Sequence, residues 1–165
     1  KLSDAISRHG AVASIELSHG GSGARISYNE GHTIYGPVAC DSNSFGKPIH
    51  AEPMTEEIIQ HTIRKHAEAA AWAKQCGFGM VTLHGGHGWL LHQFVSPKTN
   101  TRKDKWGGSI ENRSRLSVAV VDAVEKGMDC LLHSYYLLMQ KKLLHFVPQL
   151  YFIRTASHSD LEAHS

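Results

Sequence analysis

Two short aliphatic runs, residues 11–17 and 79–83, stand on either side of a long amphipathic helical pattern, and this order constrains the fold more than any other feature of the chain. The first run is β-rich and bounded by Gly10 and the Ser18-His19-Gly20-Gly21 cluster, which suits a buried parallel strand. The helix begins at Thr55, an N-cap followed by Glu56 and Glu57 in the first turn, where carboxylates favour the helix dipole. Its face carries Ile59, Ile63, His66, Ala67, Ala70, Ala71 and Lys74, and the pattern ends near Gln75, with Gly77 as the stop. Strand, helix and strand in this order form a βαβ unit, because two parallel strands require a crossover connection. A further helix runs from Ser109 to Gly127, with Ser109 as cap, Glu111 or Asn112 bonding back, and Leu116, Val120, Val121 and Val124 as its apolar positions. Each strand is followed by a helix, as in an α/β barrel. Residues 2–9 read as the end of a helix stopped by Gly10, and residues 18–53, rich in Gly, Ser, Asn and Pro, as one long loop.

A closed (β/α)₈ barrel takes about 250 residues. This chain has 165, so the expected fold is a partial TIM barrel of parallel strands, incomplete at both ends, over residues 1–127, with a divergent tail over 128–165. The opening in mid-helix pattern reads as a truncation. Open strand edges and uncovered apolar surface favour association with further chains, so an oligomer is one expectation. With 41% hydrophobic and 19% charged residues the composition is that of an ordinary globular domain. A net charge of +2, with both signs interspersed, gives no basic stripe for nucleic acid. No run approaches the roughly 20 apolar residues of a membrane span, and the N-terminus lacks the apolar stretch of a signal peptide. Cys40, Cys76 and Cys130 are widely spaced with no C-x-x-C pair, which fits a reducing cytoplasm.

Catalytic groups in parallel α/β barrels sit at the C-terminal ends of strands. His84 and His87 occupy that place at the end of the second run, three residues apart, so that both imidazoles can meet one oxygen if the turn bends suitably. Two alternatives stand beside this reading. With His92 the pair makes a loose zinc-like pattern, although no Cys or acidic partner lies near in sequence. Each histidine can equally be an ordinary polar residue with a satisfied partner.

The sequence His84-Gly85-Gly86-His87-Gly88-Trp89-Leu90-Leu91-His92-Gln93-Phe94-Val95-Ser96-Pro97, continuing through Asn100-Thr101-Arg102-Lys103-Asp104-Lys105-Trp106-Gly107-Gly108-Ser109-Ile110-Glu111-Asn112-Arg113-Ser114-Arg115, closely resembles the signature of the Old Yellow Enzyme family of flavin-dependent ene-reductases, in particular its enoate and dienoyl reductase branch of NADH:flavin oxidoreductases. The similarity extends over about residues 1–127. It implies FMN as cofactor, NADH or NADPH as electron donor, and a small unsaturated substrate. It also implies a role for the histidines, since the family's His-x-x-His or His-x-x-Asn pair donates hydrogen bonds to a substrate carbonyl or carboxylate over the flavin. Withdrawing charge from that oxygen makes the β-carbon of an enoate electrophilic, and fixed donors stabilise the developing enolate. The protein's part is then orientation, with hydride supplied by the flavin.

The chain departs from the family at several positions. Trp89 stands where many members carry the tyrosine that protonates the α-carbon; an indole N–H donates a hydrogen bond but does not release its proton near neutral pH, so water or another residue protonates, or Trp89 simply packs. In Ile15-Glu16-Leu17-Ser18-His19-Gly20-Gly21, Glu16 replaces the glutamine that reads the flavin pyrimidine edge. A carboxylate there accepts from the flavin N3–H but opposes negative charge on the reduced ring; the plain alternative is a strand-end carboxylate facing water. His19 and Arg25 are candidates for the pocket rim. Arg102, Asp104, Glu111, Asn112, Arg113 and Arg115 read as a structural lock on a long loop, with an anion nest at Gly107-Gly108-Ser109 as the rival. The tail echoes the family's next strand, which bears an Arg followed by a Ser, only in Phe152-Ile153-Arg154-Thr155-Ala156-Ser157 and with a different spacing, which makes Arg154 a flavin-contact candidate. The resemblance brings no cysteine cluster for iron and sulfur. The functional expectation is an FMN-dependent reductase of activated C=C bonds; the alternatives are a remnant of that fold without flavin and a His-based metal-binding module.

Overall fold

The computed structural model describes residues 1–25, 30–44 and 46–128. Arg154, Cys130 and the expected tail lie outside them. Helix α1 (Leu2–Ser7) leads into strand β1 (Ser14–Leu17), a 3₁₀ turn (Gly21–Gly23), strands β2 (Ile34–Gly36), β3 (Cys40–Ser44) and β4 (Lys47–Pro53), helix α2 (Glu56–Gln75), strand β5 (Met80–Leu83), helix α3 (Leu90–Val95) and helix α4 (Ile110–Met128).

Strands β1 and β5 are parallel neighbours, in register from Ser14 opposite Met80 to Leu17 opposite Leu83, with α2 as their crossover. Alternation along the strands divides the pair into two faces. Val81 and Leu83 are buried, and Ile15 and Leu17 pack beside them, against a core of Ile59, Ile63 and Ala70 from α2, Leu90 and Phe94 from α3, and Leu116, Val120 and Val124 from α4. Full burial of each large aliphatic or aromatic side chain contributes roughly 1.5–3 kcal/mol. The opposite face carries Ser14 and Glu16 beside Thr82, with the Ser14 and Thr82 hydroxyls 3.3 Å apart.

Helix α2 starts as its sequence indicates: the Thr55 hydroxyl accepts the Ile58 N–H at 3.3 Å. It ends in a left-handed Gly77 (φ +86°), whose N–H reaches the Lys74 carbonyl at 2.8 Å. The buried stripe is rotated slightly from the expected face. Thr62 and Ala73 are buried with Ile59, Ile63, His66 and Ala70, while Lys74 is exposed.

Residues 18–53 are not one long loop. They contain the 3₁₀ turn and a three-stranded sheet ordered β2–β4–β3, in which β2 is parallel and β3 antiparallel to β4. Cross-strand pairing explains the difference: Ile34, Ile49 and Ala51 bury a small second core that none of the strands could form alone. Arg102, on the loop before α4, ties this sheet to the main body by donating to the carbonyls of Pro37 at 2.7 Å and Met54 at 2.8 Å.

Candidate active site at the ends of the parallel strands

The chain leaves β1 and β5 side by side, and the parallel ladder continues past them: the His84 N–H bonds the Leu17 carbonyl at 3.0 Å, and Leu90 N–H bonds that of His19 at 2.9 Å. Residues 84–89 therefore turn directly beside residues 18–21. His87 makes the bend in a left-handed conformation (φ +52°), followed by Gly88 at φ +81°. The turn places the two imidazoles as a pair, with ring centroids 5.3 Å apart, planes 22° from parallel, and His87 Nδ1 3.4 Å from His84 Nε2. Trp89 meets His84 edge-on, centroids 6.2 Å apart, and caps α3. Glu16 projects from β1 on the same face, its half-exposed carboxylate Oε1 lying 3.3 Å from His84 Nδ1. The contact is poorly aligned, and Nδ1 is buried with no hydrogen bond among the described residues.

A residue that sequence reading passed over holds the two turns together. Gln93, 4% exposed, donates to the carbonyls of Gly88 at 2.6 Å and Gly20 at 3.2 Å, and accepts the Ser22 N–H at 3.0 Å. Gly21 (φ +58°) gives it room: a Cβ there would stand 2.8 Å from the Gln93 Cδ and Nε2. A lone glutamine after a histidine motif carries no periodic signal, so only the fold reveals this role. His92 turns its Nδ1 to the Gly88 N–H at 2.8 Å instead of joining His84 and His87, and among the described residues no three His, Cys, Asp or Glu side chains come together as metal ligands.

His19 is largely buried, with Nδ1 accepting the Gly21 N–H at 3.0 Å. Burial, reinforced by nearby His66, pushes its pKa down to about 4. His66 is lowered too by burial, partly offset by its bond to the Thr62 carbonyl. His92 is lowered by burial and by neighbouring His87. A cleft of about 480 Å³ lies between the end of β1, including Glu16 and His19, and the α2 residues His61, Lys65 and His66. Arg25 is exposed and does not line this cleft.

The signature loop is fixed by side-chain bonds to backbone. Asn100 Nδ2 donates to the carbonyls of Phe94 and Trp106, both at 2.7 Å, Arg113 donates to those of Val95 and Gly108, and Arg115 to that of Lys105 at 2.9 Å. Buried Trp106 donates its indole N–H to Glu56 at 2.7 Å, and that bond, with Lys105 beside it, holds the Glu56 carboxyl below its usual range. Asp104 is likewise lowered, chiefly by its hydrogen bond from Arg102. Among the described residues no helix is long and apolar enough to cross a membrane.

The sequence pattern of the NADH:flavin oxidoreductase / NADH oxidase family matches residues 1–139. The chain is 42% identical over 127 residues to an NADPH dehydrogenase of Bacillus licheniformis, covering 76% of this chain and 35% of that protein. It is 40% identical over 126 residues to a probable NADH-dependent flavin oxidoreductase of Bacillus subtilis, covering 76% and 33%. It thus spans about a third of the length of the curated relatives it matches. Among solved structures it superposes on Old Yellow Enzyme from Pichia sp. AKU4542 with a TM-score of 0.73 and 30% identity, over 82% of this chain and 38% of that one. Histamine dehydrogenase from Rhizobium sp. 4-9 gives a TM-score of 0.77 at 29% identity, over 87% and 22%. The two parallel strand–helix units are accordingly part of the barrel those enzymes share, with the histidine pair at its C-terminal end. By sequence pattern, relatives and fold together, the chain belongs to the NADH:flavin oxidoreductase / NADH oxidase family, the family of the Old Yellow Enzymes.

Proposed function

We propose that this chain supplies the substrate-oxygen clamp of an FMN-dependent oxidoreductase that reduces activated C=C bonds of enoate-type substrates with electrons from NADH or NADPH. The observation that carries the reading is the pairing of His84 and His87. Two ring nitrogens 3.4 Å apart, on the turn at the end of parallel strands, are close enough that both can turn from each other toward one shared oxygen. Such an oxygen, held by imidazole N–H groups, draws electron density out of the conjugated alkene, and the clamp stabilises the negative charge that develops on it. Trp89 packs against His84 and walls the site; its indole is no source for the proton that completes the reduction. Gln93 orients the clamp through the two turns.

What supports a flavin beside the clamp is the polar open face of the strand pair. Glu16 is half-exposed there, leaving one carboxylate oxygen to accept an N–H while the other stays near His84. When bound, the flavin supplies the hydride. Arg154, a further contact candidate, belongs to the same proposal.

The test is turnover of a 2-enoate with NADH and NADPH in the FMN-loaded protein that carries this sequence at full barrel length. Replacing both His84 and His87 by Ala is expected to lower kcat/KM by at least about a hundredfold, the usual cost of losing a preorganised oxyanion donor; unchanged turnover removes the clamp. A second reading, a remnant of the fold without flavin, is favoured by the Glu16 carboxylate on the open face of the strand pair, whose charge opposes the negative charge of a reduced flavin ring. Purified chain with a stoichiometric flavin absorbance rules that reading out.

A further inference from the structure

Three atoms of the site form a line whose hydrogen-bond roles are coupled. His84 Nδ1 is buried and without a hydrogen bond, yet the Glu16 carboxylate Oε1 sits 3.3 Å from it. On the other side of the same ring, Nε2 faces His87 Nδ1 at 3.4 Å. A neutral imidazole bears one proton, and the partner of one nitrogen decides which nitrogen holds it. With the proton on Nε2, two charges of like sign would meet at Nδ1, a bare lone pair against a carboxylate oxygen, in a place water does not reach. With the proton on Nδ1, that contact becomes a charge-assisted hydrogen bond after a small rotation of the half-exposed Glu16 side chain. Nε2 is then a lone pair, and the Nδ1–H of His87 is the donor that faces it. Each contact is attractive only if the next points the same way.

We infer that Glu16 is a positioning residue for the clamp: it fixes the proton of neutral His84 on Nδ1 and so orders Glu16, His84 and His87 into a one-directional relay. The groups that face His84 in the structure are Glu16 from β1, and His87 and Trp89 from its own turn; the Trp89 ring meets it edge-on. The inference rests on the clamp reading above and deepens it. In the relay, neutral His84 offers an acceptor and His87 a donor, so seating an anionic oxygen between two donors requires one added proton, carried in by the substrate or taken from water onto His84 Nε2. The favoured occupant is therefore a carboxylic acid, or a carboxylate bound together with a proton, over a neutral ketone. A glutamine in place of Glu16 removes the fixed order, because its carboxamide can donate to a bare Nδ1 as readily as it accepts from Nδ1–H.

The experiment is long-range proton–nitrogen NMR of the ¹⁵N-labelled chain in mildly alkaline solution, where ordinary imidazoles are neutral. His84 is assigned by the signals lost in His84→Asn. Expected are a protonated, pyrrole-type Nδ1 and a pyridine-type Nε2 for His84 in the wild type, and a shift toward the Nε2–H form in Glu16→Gln that leaves the two tautomers mixed, with unchanged backbone amide spectra. A wild-type His84 protonated on Nε2 overturns the proposal without any variant, and so does a tautomer that Glu16→Gln leaves unmoved. If the variant does not fold, Glu16→Asp, which withdraws the carboxylate by one methylene, is expected to give a mixture of the two forms; an unaltered Nδ1–H form there overturns the role of Glu16. None of these readings depends on flavin or turnover, so the relay and the reductase assignment fail separately.

Discussion

Gln93 and Gly21 share one small space beneath the site, and a double-mutant cycle tests whether they lock the two turns together. Gln93→Ala strips a partner from three backbone groups, the Gly20 and Gly88 carbonyls and the Ser22 N–H. At about 1 kcal/mol for each lost bond the cost is roughly 3 kcal/mol. Gly21→Ala puts a side chain at φ +58°, which costs on the order of 1 kcal/mol, and drives its methyl into the Gln93 carboxamide, which adds roughly 1–3 kcal/mol of overpacking. In the double variant the methyl enters space the carboxamide has left. The overpacking cost disappears, and the combined loss falls short of the sum by roughly 1–3 kcal/mol. Urea unfolding of the four proteins, followed by far-ultraviolet circular dichroism, measures the difference. Losses that add to within about 0.5 kcal/mol refute the shared contact.

Arg102→Ala, which removes two bonds from a largely buried guanidinium to the Pro37 and Met54 carbonyls, is expected to cost about 3 kcal/mol by the same unfolding assay, and Arg102→Lys to recover less than half, since an ammonium lacks the fork. A full rescue by Lys contradicts the geometric reading. His19 sets an acid limit. Its folded pKa of about 4 lies below the ordinary 6.5, so the unfolded chain takes up the proton first, and stability present above pH 6.5 is lost as the pH falls toward 4. Between pH 7 and pH 5 this amounts to about 2 kcal/mol. His66 acts in the same direction, whereas His50, raised by the hydrogen bond its ring N–H donates to the Asp41 carboxylate, is exposed and acts in the opposite one. Unfolding free energies of wild type and His19→Gln at the two pH values isolate the contribution; equal pH dependence sinks it.

Where local periodicity and burial agree, the sequence was readable. Apolar runs ending at Leu17 and Leu83, the Thr55 cap and the Gly77 stop each act through their immediate neighbours, so β1, α2 and β5 fell where the pattern put them. That His84 and His87 come together just past β5 was legible for the same reason, since a strand end is a local event. The hairpin of Cys40–Ser44 and Lys47–Pro53 was not, because its strands are polar or proline-bearing and become strands only through register with each other and with Ile34–Gly36. Gln93 and the Glu56–Trp106 bond depend on partners 71 and 50 residues away, beyond any sequence window. Glu16 was visible as a departure from the family's glutamine; its closeness to His84 needed the parallel register of β1 with β5.

The left-handed backbone at His87 narrows which residues can stand there without strain. β-branched and bulky side chains seldom tolerate a φ of +52°, whereas Asn, Asp and His enter that region far more readily. Of those three, an ionised aspartate has no proton to give. At His87 the shape of the main chain thus constrains the residue as much as chemistry does: the bend admits a short alphabet, and histidine is a member of it that carries a ring N–H.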